Sequence, residues 1–80
     1  MQPEELRSVF GGNLKARREE LGLTQTELAH LAKVSPACIS QLESAIHAAS
    51  MDLLARLAEV LRTSPSALLS AEPVFSVNSA

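Results

Sequence analysis

Residues 23–43 read LTQTELAHLAKVSPACISQLE, and the punctuation inside this stretch decides the fold. Thr24 followed three residues later by Glu27 is a capping box, in which hydroxyl and carboxylate each satisfy a backbone N–H that the first helical turn leaves unpaired. Leu23 before the cap and Leu28 after it are spaced as a hydrophobic staple, so a helix starts at Thr24. Ser35 and Pro36 repeat the signal, because serine caps well and proline at the first helical position gives up only an N–H that had no partner. Val34 and Ile39 supply the second staple. Two short helices follow, roughly Gln25 to Ala32 and Pro36 to Ser44, joined by three or four residues.

A connection that short makes the helices cross steeply, and close crossing needs a small residue at the contact, here Ala29. Leu28, Leu31, Ile39 and Leu42 are then expected to face inward, leaving Pro36, Ala37, Ser40 and Gln41 on the outer face of the second helix. The unit reads as a helix-turn-helix.

Length and composition agree. Eighty residues make one domain, near the lower limit for a single core without disulfides or metal. Hydrophobic residues reach 46%, mostly Leu and Ala, and Phe10 and Phe75 are the only aromatics, which favours helices over a sheet. The lone Cys38 excludes an internal disulfide and a cysteine-based zinc cage, and points to a reducing, cytoplasmic setting. No apolar run approaches the ~20 residues that span a bilayer, and the acidic start MQPEELRS is unlike a secretory signal. No membrane, cofactor, metal or small-molecule ligand is expected. Neither a nucleophile with a base nor a phosphate-cradling glycine loop is present, which argues against an enzyme.

Leu6, Phe10, Leu14 and Leu21 recur at helical spacing, predicting a first helix from Pro3 to Leu21, with Gly11-Gly12 weakening its middle so that the part before Asn13 frays or forms a separate turn. Gly22 suits the left-handed position that ends a helix. Ser50 caps a fourth helix of about Met51 to Leu61, with Leu54, Leu57, Ala58 and Leu61 inward, and Ser64-Pro65 starts a fifth to about Ser70. The chain therefore divides into a domain at 1–70 and a tail at 71–80, the tail being either disordered or packed on a second copy. Leu68, Leu69, Val74, Phe75 and Val77 are the candidate dimer contacts.

The stretch from Phe10 to about Leu69 resembles the Cro and phage-repressor (XRE-type) helix-turn-helix family. The likeness rests on L-G-L at 21–23, T-Q-x-E-L-A at 24–29 and V-S-x-x-x-I-S-x-x-E at 34–43, and covers about three quarters of the chain. It implies an all-α, compact five-helix lambda-repressor-like domain that acts as a homodimer on double-stranded DNA. It also implies an ion pair between Arg18 and Glu43; the alternative is a solvated helix-surface arginine. Gln25 matches a glutamine that reaches a phosphate in the family.

The chain departs from the family twice. Lys33 stands where glycine is common, and Ala45-Ile46-His47-Ala48-Ala49 replaces a loop that usually carries glycine, cations and proline. His47 is then either a phosphate donor or an exposed loop histidine.

Function follows from the outer face of the second helix, since the major groove admits one helix and displays a distinct donor and acceptor pattern for each base pair. Gln41 can bond an adenine edge, Ala37 or Cys38 can touch a thymine methyl, and Pro36 and Ser40 share that face; for Ala37 and Cys38 the alternative is small-residue packing. Candidate phosphate contacts are Thr24, Gln25, Lys15, Arg17, Lys33, Ser35, Ser44 and His47. Between Asn13 and Ser50 four cations meet four anions, and the whole chain is at −2, so one copy should bind DNA weakly and two should read a palindrome. The competing reading is a protein-interaction module or antitoxin-like partner that docks through Ala45 to Ala49.

Overall fold

The computed structural model describes residues 1–71. Among them the chain is all helical, in the order α1 (Pro3–Glu20), α2 (Gln25–Ala32), α3 (Pro36–Glu43), α4 (Met51–Val60) and α5 (Pro65–Leu68). The dimer candidates Val74, Phe75 and Val77 lie outside the described residues.

Each start is set by local chemistry. Thr24 Oγ1 accepts the Glu27 N–H at 3.0 Å while Glu27 Oε1 accepts the Thr24 N–H at 2.8 Å. The hydroxyls of Ser35, Ser50 and Ser64 accept the N–H of Cys38, Leu53 and Ala67, each at 3.1 Å. The ends are equally regular. Gly22, Lys33, Ala45 and Arg62 all have positive φ, between 56° and 74°. Each is followed by a residue whose N–H reaches the carbonyl five positions back: Leu23 to Arg18, Val34 to Ala29, Ile46 to Gln41 and Thr63 to Ala58. That is the Schellman closure, and three of its four left-handed residues carry a side chain, at a cost of roughly 1–2 kcal/mol each relative to an unstrained residue.

Contrary to the fraying expected at Gly11-Gly12, α1 runs unbroken through both. The reason is tertiary. A Cβ on Gly11 would lie 2.5 Å from the Leu42 carbonyl oxygen and 2.9 Å from that of Glu43, so the missing side chain is what lets α1 lie against the end of α3. Gly12 meets nothing.

Phe10 and Leu14 of α1, Leu28, Ala29 and Ala32 of α2, Ile39 and Leu42 of α3, Leu57 and Ala58 of α4, and Leu61 and Leu68 form one core. Two expectations fail against it. Leu31 is 51% exposed rather than inward: at about 100° per residue it sits just over a quarter-turn from the centre of the Leu28, Ala29 and Ala32 stripe, and eight residues of α2 bury only that stripe. Leu68 is fully buried, so it fills the core of its own chain and offers nothing to a second copy.

Candidate nucleic-acid interface

With Ile39 and Leu42 turned into the core, α3 presents Pro36, Ala37, Gln41 and Ser44 to solvent, with Ser40 half-buried at the margin. Ala37, Gln41 and Ser44 recur at four- and three-residue steps and form one stripe. The Gln41 amide has no hydrogen-bond partner among the described residues. Cys38 is half-buried against the core, which favours packing over a base contact for that residue.

Thr24 and Ser35 stand at the starts of α2 and α3 with their hydroxyl oxygens accepting helix N–H groups, so each keeps its own O–H to donate outward. Gln25 is held in place by donating from Nε2 to Glu43 Oε1 at 3.0 Å, which leaves its second amide hydrogen available.

Glu43 is also where Arg18 lands. Arg18 Nε donates to Glu43 Oε2 at 2.7 Å and Nη2 to Oε1 at 3.1 Å, a two-pronged contact, while Nη1 donates to the Leu23 carbonyl at 2.7 Å. The two side chains are only 10% and 4% exposed. The hydrogen bond it donates to Glu43 holds the Arg18 guanidinium pKa above its ordinary value, with burial opposing and the charges of Glu43 and Glu19 assisting. One carboxylate therefore ties α1, α2 and the end of α3 together behind the exposed stripe.

Three other arginines, with Asn13, perform a second task that the sequence did not disclose. Arg7 Nε donates to the Ala45 carbonyl at 3.3 Å, just past α3, and Arg56 Nη1 to Ala32 at 2.9 Å, the last residue of α2. Arg17 Nε donates to Leu61 at 2.8 Å and Nη2 to Arg62 at 3.3 Å, at the end of α4. Asn13 Nδ2 donates to Leu68 at 2.9 Å and Ser70 at 2.7 Å, at the end of α5. Helix C-termini carry unpaired carbonyls and partial negative charge, and in this chain a guanidinium or amide from elsewhere meets each of these four ends. Polar Asn13 between apolar Phe10 and Leu14 was the one legible signal; Arg7 and Arg56 gave none.

This changes the phosphate-contact set. Arg17 is committed to α4 and to Glu20 at 2.8 Å, so its assignment to phosphate is corrected. Among the described residues, Lys15, Lys33 and Arg62 are the basic side chains without a hydrogen bond or ion pair. Lys33 sits at the left-handed turn between α2 and α3. His47 and Ser44 are exposed beyond α3. No group of three or more His, Cys, Asp or Glu among the described residues is placed to hold a metal.

A helix-turn-helix family model matches residues 14–68, from the second half of α1 to the end of α5. The chain belongs to the Cro and phage-repressor (XRE-type) helix-turn-helix family. This XRE-type domain is thus of the DNA-binding, transcription-regulating class.

It is similar to the clp gene regulator ClgR from Corynebacterium glutamicum, with 36% identity, a TM-score of 0.75 and coverage of 80% of this chain and 83% of that one. The P22 c2 repressor, solved in complex with a synthetic operator, shares 32% identity and a TM-score of 0.75, covering 79% of this chain and 96% of that one. Hydroxypropylphosphonic acid epoxidase from S. wedmorenis matches with 30% identity, a TM-score of 0.76 and 81% of this chain, but only 35% of the enzyme. No curated protein matches the chain. No helix among the described residues is long and apolar enough to cross a membrane.

Proposed function

We propose that this XRE-type domain reads a palindromic operator as a homodimer and acts by binding, with no catalysis of its own. The observation that carries the reading is the α3 stripe of Ala37, Gln41 and Ser44, exposed and without internal partners, on a helix anchored from behind by Glu43. Gln41 supplies a bidentate amide for an adenine edge, while Ala37, and less directly Pro36 and Ser40, shape the contact with neighbouring bases. Thr24, Gln25 and Ser35, at the positive ends of α2 and α3, hold phosphates together with Lys33, Lys15, Ser44 and His47.

Because three of the seven cations are engaged at helix ends and Arg18 is held by Glu43, little affinity comes from phosphate neutralisation. Two copies one DNA turn apart, about 34 Å, supply the rest. The P22 c2 repressor, bound to a synthetic operator, supports the mode of docking.

The test is selection from randomised duplex DNA at moderate salt with Gln41→Ala beside the native chain. An enriched palindrome whose half-sites lie about 10 base pairs apart, relaxed by the substitution, is the expected result. The second reading, a protein-interaction module, draws on Ile46, which is 63% exposed in the loop after α3. It predicts no enrichment from folded protein at any salt.

A further inference from the structure

Arg7 stands apart from the arginines that are used up inside the fold. Its Nε donates to the Ala45 carbonyl at 3.3 Å, while Nη1 and Nη2 donate to nothing among the described residues. A guanidinium carries five N–H donors, so four are left for a partner from outside. Nor is its charge cancelled: the ion pairs among the described residues join Arg17 to Glu20, and Arg18 to Glu19 and Glu43. Arg56 has no carboxylate either, but its anchor, Ala32, is fully buried and lies away from the α3 stripe.

Two contacts fix where this charge sits. Nε is tied to Ala45, and the side chain lines one apolar groove with Ala48 and Ala49. Alanines leave room for the methylene stem to lie along the loop while the charged head stays in water, and Arg7 is accordingly half-buried. Ala45 follows directly on Ser44, the last member of the exposed α3 stripe. Backbone dimensions then put Nε no more than about 10 Å from the Ser44 Cα. The major groove is about 12 Å wide, and phosphate chains form its rims. A cation that close to the end of a helix lying in the groove is within reach of a rim.

Resting on the DNA-binding reading above, we infer that Arg7 is a phosphate-contact residue, seated on the loop after α3 and reaching the DNA backbone at the rim of the groove that α3 enters. The family model begins at Leu14, so Arg7 lies outside the matched segment and the contact belongs to this chain. Residues 45–49 include no lysine or arginine; a cation carried on α1 serves that loop instead. Holding the stem in place before DNA arrives also reduces the side-chain entropy lost when the contact forms.

The experiment follows the native chain, Arg7→Gln, Arg7→Lys and Arg17→Gln by fluorescence anisotropy on the selected duplex, from about 50 to 300 mM salt. Arg7→Gln should lower the slope of log K against log salt by about 1 per bound copy, and weaken binding about fivefold to tenfold per copy near 100 mM salt. Arg7→Lys keeps the charge and should keep the slope, as should Arg17→Gln. An arginine with a merely structural role would lower the melting temperature of both Arg7 variants and leave both slopes alone. In the native chain, phenylglyoxal modification of Arg7, located by mass spectrometry, should slow when the duplex is bound; this readout keeps its force if Arg7→Gln fails to fold. An unchanged slope for Arg7→Gln, an equal loss of slope in Arg7→Lys, or Arg7 modified equally fast with and without bound duplex overturns the contact and leaves the DNA-binding reading standing. A folded native chain that binds no duplex overturns both.

Discussion

Replacing Glu43 by leucine removes the acceptor of three side-chain hydrogen bonds, from Arg18 Nε, Arg18 Nη2 and Gln25 Nε2. The guanidinium left behind is 10% exposed and retains one hydrogen bond, to the Leu23 carbonyl, and a long ion pair with Glu19 at 3.9 Å. Breaking a buried pair by deleting one member costs about 3–5 kcal/mol, whereas replacing both members with apolar groups is often neutral or stabilising. An exposed pair would be worth about 0–1 kcal/mol; the 4% exposure of Glu43 decides for the larger figure. A domain of this size holds about 4–12 kcal/mol in total, so Glu43→Leu should lower the melting temperature by more than about 12 °C and leave a partly unfolded population at 37 °C. The double variant Arg18→Met/Glu43→Leu should recover most of the loss. Urea unfolding followed by circular dichroism at 222 nm, on both single variants and the double, measures the cycle. Single variants that cost under about 1 kcal/mol, or a double variant no better than Glu43→Leu, would refute the reasoning.

The two adjacent glycines should respond in opposite directions. Gly11→Ala forces a methyl against the Leu42 carbonyl and should destabilise by about 1–3 kcal/mol, while Gly12→Ala, on an open helix face, should stabilise by up to about 1 kcal/mol; urea midpoints separate them. Relief of left-handed strain at Lys33 or Ala45 predicts that Lys33→Gly and Ala45→Gly each raise the urea midpoint, by an amount worth about 1 kcal/mol. Salt titration of operator binding distinguishes the two kinds of cation: Lys33→Gln should reduce the slope of log K against log salt by about 1. Arg17→Gln, which removes donors from the end of α4, should leave the slope unchanged and lower the melting temperature instead. An unchanged slope for Lys33→Gln, or a reduced one for Arg17→Gln, would reverse their assignments.

How much of this chain was legible depends on the range of the interactions that decide each feature. Helix starts were read to the residue at Thr24, Ser35, Ser50 and Ser64, because a cap is a contact between residues three apart and needs only its own turn. The exposed stripe on α3 was readable for the same reason: once Ile39 and Leu42 are inward, helical geometry leaves Ala37 and Gln41 outward. The ion pair between Arg18 and Glu43, 25 residues apart, entered only through family resemblance, since no local rule joins them.

Tertiary structure decided the remainder. Gly11 looked like a weak point until the approach of α3 made its missing Cβ a requirement. Leu31 and Leu68 carry the same apolar side chain, yet one faces water and the other fills the core, because the neighbours that cover a helix face come from elsewhere in the chain. The arginines show the limit most plainly. Charge composition by itself determined that cations are few; only the fold decided that Arg7, Arg17 and Arg56 go to the carbonyl ends of other elements. A long flexible cation binds whichever negative end the packing brings within reach, and that end can lie tens of residues away.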